Sequence, residues 1–446
     1  MTASVGIGSE APELVPSVRL GPRLRSGARY VHGLYDDETS ALYQVGEREA
    51  FIIQRLDGQR PAHRIADGYV RRFGKELTPE GWAQIIQLLR DRALLVTNPD
   101  GVAETARRRA EIRATNQRLR TGSRTLLVAH WDLAHPHRAI AALAPRVGWL
   151  FSTAALMMIA GGAAVILTWL VVSSPSLVVE VPRVWAGTPA AGIIGVVIIW
   201  ISVAVHELAH GITHVRCGGQ VTAVGLKWRF PLLAAFCTTA DVKVLATRGQ
   251  QISVALAGVA GSFMVLLPTA LLLLLPEGSF GRGVGVIAIS LGSLVTVVNV
   301  VPVFALDGYK ALSAAAGFWE LRRDALLYVR ALVTPGVGRQ LRARLSRVTT
   351  LWCRSYLILL LVLAIAVVAT AVTLLSYRFG SMEALIIGGC AAAVLILSGA
   401  LGNRIVRQRA EEFSWPEHKL PPIRWPGTLP SVPDPDIDHS KERQDD

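Results

Sequence analysis

One short segment of the sequence combines residue types and spacing that suggest metal chemistry: His206-Glu207-Leu208-Ala209-His210. Residues i and i+4 of a helix lie on the same face, so both imidazoles can reach one Zn²⁺ ion. Glu207 would then lie beside the metal, where it can act as the general base of a hydrolytic reaction. The segment therefore predicts two zinc ligands and one catalytic carboxylate.

A hydrolytic zinc site needs a third protein ligand and one open position for water. His214 continues the i+4 stripe beyond His210, and it is either an auxiliary ligand or a histidine at the cytoplasmic end of the helix. Asp307, within Leu306-Asp307-Gly308, is the better candidate because it ends a second apolar segment. We expect Asp307 to be the third ligand.

The composition limits the kind of protein that could position these residues. Of 446 residues, 51% are apolar and only 18% are charged, and the net charge is +13. Soluble proteins contain roughly a quarter of charged residues, and disordered chains are far less apolar. Six apolar runs approach the ~20 residues that cross a bilayer. They are Val147–Val172, Thr188–Val215, Gln251–Leu275, Val284–Leu306, Ser355–Ser376 and Ala384–Gly402.

The distribution of lysine and arginine predicts the orientation of these segments, because cytoplasmic loops carry the excess of both. The proposed outer loops, 173–187, 276–283 and 377–383, hold one arginine each. All other basic residues then lie on the cytoplasmic side, together with both chain termini. The segments with Glu207 and Asp307 run in the same direction, so both motifs are expected near the cytoplasmic face of the cell membrane.

The sequence thus predicts a mainly α-helical, polytopic membrane protein with about six transmembrane helices. A small cytoplasmic α+β domain precedes them, in which two strands flank a turn at 36–39 and three helices follow, as is typical of a winged-helix-like unit. The predicted regions are a flexible tail at 1–16, the winged-helix-like domain at 17–100, basic juxtamembrane helices at 101–146, the membrane core at 147–310, a basic loop with two further transmembrane helices at 311–413 and a Pro-rich tail at 414–446.

The remaining features of the sequence concern partners and compartment. The basic helix at 103–120 is expected to be a solvated linker that also contacts anionic lipid headgroups. It lacks the motifs of nucleic-acid-binding proteins, so the lipid bilayer is an expected partner and nucleic acid is not. The four cysteines show no C-x-x-C spacing and are expected to be reduced thiols. The N-terminus lacks a basic segment followed by an apolar one, so no cleaved signal peptide is predicted.

The two motifs together resemble the site-2 protease family of membrane zinc metallopeptidases. The H-E-x-x-H segment is followed, on another apolar segment, by the pattern N-x-x-P-x-x-x-L-D-G, and the resemblance covers roughly residues 147–310. It implies that one zinc ion is bound by His206, His210 and Asp307 and that Glu207 is the general base. The expected activity is hydrolysis of a peptide bond near the cytoplasmic face of the membrane.

Two further positions follow from the same resemblance. Asn299 matches the motif asparagine that holds the substrate backbone, although a structural bond at a broken helix end is an equal alternative. The family also has an A-G-P-type segment in the intervening helix, whereas this chain has Ala257-Gly258-Val259 and lacks the proline. Gly258 and Gly261 are expected to allow close helix packing. The stretch 219–245 contains short β-type runs around residue 231, next to which a peptide could pair as an added strand.

The N-terminal domain resembles the precursor-peptide recognition elements of pathways that make ribosomally synthesised, modified peptides. Such elements bind a leader peptide as an added strand. The resemblance implies a peptide-maturation protease of the daptide-like type, with its precursor peptide bound by residues 17–100. One alternative is an intramembrane protease that cuts a transmembrane regulator such as an anti-sigma factor. Another is a non-catalytic peptide export or immunity component, although such a protein would not need Glu207.

Overall fold

A computed structural model describes residues 10–96, 101–121, 128–229, 232–303, 306–333 and 345–379. This part of the chain is mainly helical, with two small sheets. Its strands are β1 (Val18–Leu20), β2 (Leu24–Ser26), β3 (Arg29–Asp36), β4 (Ala41–Gly46), β5 (Val128–Ala134), β6 (Val224–Arg229) and β7 (Leu232–Cys237). Its helices are α1 (Glu47–Ile53), α2 (Ala62–Phe73), α3 (Pro79–Asp91), α4 (Val102–Thr121), α5 (His137–Val147), α6 (Thr153–Gly187), α7 (Pro189–Arg216), α8 (Arg248–Thr269), α9 (Phe280–Val300), α10 (Asp307–Ala316), α11 (Leu321–Val333) and α12 (Arg347–Phe379).

Five helical segments of the described chain are long and apolar enough to cross a membrane. They are Thr153–Ser173, Pro189–Arg216, Arg248–Leu274, Phe280–Val300 and Arg347–Val367. Large aliphatic side chains on these segments remain exposed, for example Val171 at 75% and Ile358 at 62%, as expected of a surface that faces lipid. Five of the six predicted transmembrane segments are thus found as apolar helices. The sixth, 384–402, and the predicted tail at 414–446 lie outside the described residues.

Helix α6 differs from the prediction, which places a loop at 173–187. The structure continues the helix to Gly187, where Thr188 ends it. Contacts along the added turns explain the continuation: Trp185 packs where Gly192 leaves room for its ring, and Glu180 lies 3.4 Å from the guanidinium of Arg282. The helix therefore remains packed against the first turns of α7 and α9 beyond its apolar segment.

The chain between α9 and α10 also departs from the prediction, which continues the fourth apolar segment to residue 306. Helix α9 ends at Val300, and Val301 is extended, with φ −61° and ψ 129°. The cause is Pro302, which lacks an N–H and disfavours a helical conformation in the residue before it. Asp307 is consequently the first residue of a new helix rather than the end of a transmembrane one.

Small residues bring α7, α8 and α9 into close contact. A Cβ added to Gly261 of α8 would lie 2.7 Å from the Cβ of Ala209 and 2.9 Å from the carbonyl oxygen of Val205, both on α7. A Cβ on Gly195 of α7 would lie 2.7 Å from Ile287 of α9. The packing role predicted for Gly261 is therefore confirmed, as small residues permit close approach of apolar helices.

The second sheet lies beside α7 and has the antiparallel order β5-β6-β7. Strands β6 and β7 are antiparallel and lie in the stretch 219–245, where the sequence predicts short β-type runs. Strand β5 was not predicted, because the sequence assigns helices to the whole of 101–146. Its residues pair with β6 from Val128↔Arg229 onwards, so a partner distant in the sequence determines its conformation.

The N-terminal domain contains the predicted hairpin, formed by β3 and β4, and the three predicted helices. Thr78 begins α3, and its hydroxyl accepts a hydrogen bond from the backbone of Gly81, as the capping pattern indicates. The sheet has two additional short strands, because β1 and β2 both pair with β3. Leu14, within the predicted tail at 1–16, is bridged to Leu95, and its N–H donates to the carbonyl oxygen of Leu56 at 3.1 Å.

This domain is bound directly to the part of the chain that follows Asp307. The backbone of Arg25 donates to the carbonyl of Gly317 and accepts from the N–H of Trp319, both at 2.7 Å. The N–H of Gly27 donates to a carboxylate oxygen of Asp324, also at 2.7 Å. Arg25 of β2 thus forms an isolated parallel β-bridge with Phe318, in the segment between α10 and α11.

Candidate metal centre

Two histidines and one aspartate converge between α7 and α10. His206 and His210 lie one helical turn apart on α7, and their Nε2 atoms are 3.2 Å apart. The Oδ2 atom of Asp307 is 2.9 Å from Nε2 of His206 and 3.0 Å from Nε2 of His210. All three side chains are buried. The structure therefore brings together the three residues that the sequence predicts as metal ligands.

The hydrogen bonds behind the imidazoles determine which atoms face Asp307. Nδ1 of His210 is 2.6 Å from the carbonyl oxygen of Val254 on α8, and this nitrogen must carry the proton because a carbonyl only accepts. Nε2 of the neutral ring is then an acceptor. Nδ1 of His206 lies 3.0 Å from the hydroxyl of Ser262, which can fix that ring in the same way. If Ser262 accepts from Nδ1, then lone pairs of two imidazoles and a carboxylate oxygen face one another.

Three acceptors at such short distances require a positive charge between them. Either a proton or a metal ion can provide it, since the N···O distances of 2.9 and 3.0 Å are hydrogen-bond lengths and are also close to those between zinc ligands. A tetrahedral zinc ion with bonds of about 2.0–2.1 Å separates its ligand atoms by about 3.3 Å. The three distances observed here lie between 2.9 and 3.2 Å. A small divalent cation therefore fits this donor set.

Gly258 of α8 keeps the space beside the two imidazoles open. A Cβ at this position would lie 2.4 Å from Nε2 of His206 and 2.5 Å from Nε2 of His210. Any larger residue would occupy the space in front of the donor atoms. The packing role expected for Gly258 is thus secondary, since the atoms closest to it are the two predicted metal-binding nitrogens.

The second carboxylate oxygen of Asp307 is bound by a lysine of the same helix. Nζ of Lys310 lies 2.8 Å from Oδ1, while Oδ2 faces the histidines. Lys310 follows Asp307 by three residues, so both lie on one helical face. This ion pair orients the carboxylate. The i,i+3 spacing could have indicated it from the sequence, whereas the bonds to Val254 and Ser262 could not have been found without the packing of α8 against α7.

Glu207 is adjacent in sequence to His206 but is not one of the three side chains that converge. Its Oε2 accepts a hydrogen bond of 2.7 Å from the backbone N–H of Cys237, the last residue of β7. Cys237 is paired with Val224, but its N–H points away from β6, because the neighbouring hydrogen bond runs from Thr238 to Ala223. The carboxylate of Glu207 is therefore held at the edge of β7 that does not pair with β6.

His214 has a different partner from the two histidines that precede it. Its side chain is completely buried, and Nε2 lies 2.5 Å from Oδ1 of Asp241. Asp241 also accepts from the N–H of Gln220 and forms an ion pair with Arg19 of the N-terminal domain. Burial disfavours the charge of Asp241, but the hydrogen bonds and charges of His214 and Arg19 outweigh it and lower the pKa of the carboxyl. His214 thus links α7 to the N-terminal domain.

Asn299 is the second-last residue of α9 and is partly buried. Its side-chain amide donates to the carbonyl of Val295, one turn earlier in the last part of α9. This contact matches the alternative that the sequence left open, a structural bond at the end of a broken helix. A role of Asn299 in substrate binding remains a prediction.

Comparison of the chain with protein-family models, with curated proteins and with solved structures gives no match.

Proposed function

We propose that this protein is a membrane-embedded zinc endopeptidase that cuts a peptide near the cytoplasmic face of the cell membrane. The observation that carries the proposal is the convergence of three buried acceptor atoms, from His206, His210 and Asp307, beside the carboxylate of Glu207. Ionisable residues are rare in apolar helices and commonly mark functional sites. The resemblance of both motifs to site-2 proteases supports the same activity.

The residues of the site have distinct roles in this proposal. His206, His210 and Asp307 would hold the zinc ion, which would activate water and polarise a carbonyl group when bound. Glu207 accepts a proton from the attacking water and returns it to the leaving amine. The N–H of Cys237 holds one oxygen of Glu207, and this contact orients the carboxylate while its other oxygen remains for proton transfer.

The position of Glu207 at the edge of β7 supports a mode of substrate binding. Among the described strands, β7 pairs with β6 on one side only. An extended peptide that adds to its free edge would pass directly beside Glu207, with its backbone fixed by main-chain hydrogen bonds. Strand addition also explains how a helical or unstructured segment becomes extended enough for its peptide bond to reach the site.

We further infer that the peptide is the precursor of a ribosomally synthesised, modified product and that the enzyme removes its leader. The N-terminal domain, residues 17–100, is the proposed leader-binding unit, and its contact with the segment after α10 places it close to the peptidase site. Arg282 lies at the end of α9 that is distant from Asp307. This arrangement agrees with a site at the lysine- and arginine-rich, cytoplasmic side.

The proposal is tested by expressing the chain with a precursor peptide encoded beside its gene and measuring cleavage by mass spectrometry. We expect wild type to remove the leader and Glu207→Gln to lower the rate by about 100-fold or more, since a general base contributes about 10²–10⁴-fold. Glu180→Gln is the matched control. It also removes one negative charge, but from α6, where Glu180 contacts Arg282 and not the proposed site. Normal cleavage by Glu207→Gln would refute the proposed mechanism.

A further inference from the structure

The N-terminal domain has a strongly basic cavity that the peptidase site does not use. It lies between α1 and α2, has a volume of about 490 Å³ and includes the side chain of Phe51. Five arginines are among the residues that line it, namely Arg55, Arg60, Arg64, Arg71 and Arg72.

The arginines of this cavity are poorly neutralised by the protein. Arg60 forms an ion pair of 3.1 Å with Asp57. The guanidinium of Arg55 lies 3.6 Å from the centre of the Phe51 ring and donates to the carbonyl of Phe51. Burial, followed by the charges of Arg60 and Arg72, lowers the pKa of Arg55. Within the described residues, none of the other three arginines has a carboxylate within 4.0 Å.

Five positive groups around one cavity repel one another, and an anionic ligand relieves this repulsion. Guanidinium groups match carboxylates and phosphates because their paired N–H donors fit two oxygens at once. The cavity is concave and has an aromatic wall, so it suits discrete side chains rather than the flat surface of a bilayer. Among the described residues, the hydrogen bonds and ion pairs between the domain and the chain beyond α4 include those of Arg19, β2 and Gly27.

We propose that this cavity, the arginine pocket, binds an acidic segment of the peptide substrate that carries two or more carboxylates. The identification of the ligand as a substrate rests on the proposed peptidase function. The arginine pocket is separate from the free edge of β7, so it anchors the peptide at a second point while another part of the chain reaches Glu207. Acidic peptides are thereby captured in preference to neutral ones.

The test measures binding of fluorescein-labelled hexaglutamate to the full-length protein in nanodiscs of zwitterionic lipid, by fluorescence anisotropy. Hexaglutamine is the neutral control peptide. We expect hexaglutamate to bind at least tenfold more tightly than hexaglutamine, with an affinity that falls as salt increases. Substitution of both Arg64→Gln and Arg71→Gln should weaken hexaglutamate binding at least tenfold.

The matched control is the pair Arg107→Gln and Arg108→Gln, which removes the same charge from the exposed face of α4 and should change the affinity less than twofold. Equal losses in the two pairs, or equal binding of both peptides, would overturn the proposal, because binding would then reflect only the net charge of the chain. Binding in detergent that is lost in nanodiscs would also overturn it, since the pocket would then face the bilayer.

These measurements do not depend on cleavage, so the two proposals fail separately. If Glu207→Gln cleaves normally and hexaglutamate binding still requires Arg64 and Arg71, the peptidase mechanism is wrong and the pocket remains a site for acidic ligands. If cleavage requires Glu207 but the pocket variants bind like wild type, the arginine pocket proposal is wrong and the peptidase proposal stands.

Discussion

Helix α7 carries two buried histidine–carboxylate arrangements that look alike but are built differently. In the first, two imidazoles face a single oxygen of Asp307, and three acceptors meet beside a glycine. In the second, His214 alone faces Asp241. Asp241 is further neutralised by Arg19 and bound by the N–H of Gln220.

The difference shows that burial and a histidine–carboxylate contact do not by themselves indicate a metal site. Every oxygen of Asp241 has a donor from the protein, so no cation is required there. In the first arrangement, Oδ2 of Asp307 meets two imidazole nitrogens and, among the described residues, no arginine or backbone N–H. The first arrangement therefore fits the proposed metal chemistry, whereas the second attaches the N-terminal domain.

The largest expected effect comes from neutralising each aspartate in turn. Asp307→Asn should lower peptidase activity by more than about 100-fold. Mutation of a residue that only hydrogen-bonds to a metal ligand typically costs about 10–100-fold, and loss of a ligand itself should cost more. Asp241→Asn should leave activity within about threefold and destabilise the fold by about 1–3 kcal/mol through its weakened hydrogen bonds. Cleavage rates and thermal unfolding of both variants provide the measurement, and equal loss of activity would remove the distinction.

A smaller effect is expected from the support behind the first arrangement. Ser262→Ala removes the hydroxyl that lies 3.0 Å from Nδ1 of His206, which should weaken metal affinity by about 10–100-fold. Ser202→Ala is the matched control, because this buried serine lies one turn before His206 and its hydroxyl contacts only the backbone of Ser262. Metal titration with a competing chelator compares the two variants. Unchanged affinity in Ser262→Ala would show that His206 is not oriented by this contact.

The last expected effect concerns stability rather than metal binding and involves a third buried carboxylate, Asp324, which attaches the N-terminal domain without a histidine. Burial raises its pKa to about 6, although the N–H of Gly27 stabilises the charge. The folded state therefore holds the proton more tightly than the unfolded state. The cost of the charge is absent at low pH, increases as pH rises from about 4 to 6 and is complete above pH 6.

Asp324→Asn keeps an acceptor for Gly27 and removes this cost. We expect it to raise stability at pH 7.5 by up to about 3 kcal/mol, and by less at pH 5. Thermal unfolding at both pH values tests this expectation. A gain of the same size at pH 5 and pH 7.5 would show that ionisation of Asp324 does not determine the effect.

The convergence of His206, His210 and Asp307 was predictable because its signals are local and periodic. The i,i+4 spacing places His206 and His210 on one face of a helix, and the direction of the apolar segments predicted a similar depth for Asp307. Five of the predicted transmembrane segments appear as helices for the same reason, since a long apolar run is visible without knowledge of its neighbours.

The features that the sequence did not predict depend on contacts between distant residues. Asp241 follows His214 by 27 residues and Arg19 precedes it by 222, and no periodicity joins them. Strand β5 forms because β6 pairs with it, and α6 continues because Trp185 and Glu180 have partners on other helices. The end of α9 was detectable, since Pro302 is a local signal that the apolar run concealed.

The metal content of the purified protein tests most directly which of the two histidine–carboxylate arrangements binds a metal ion. It is measured by inductively coupled plasma mass spectrometry for wild type, His206→Gln and His214→Gln. The two substitutions change the same residue type on the same helix, two turns apart. We predict about one zinc ion per chain in wild type and in His214→Gln, and less than about a tenth of that in His206→Gln. A folded wild-type protein without zinc, or equal loss in both variants, would contradict the assignment of the two histidine–carboxylate arrangements.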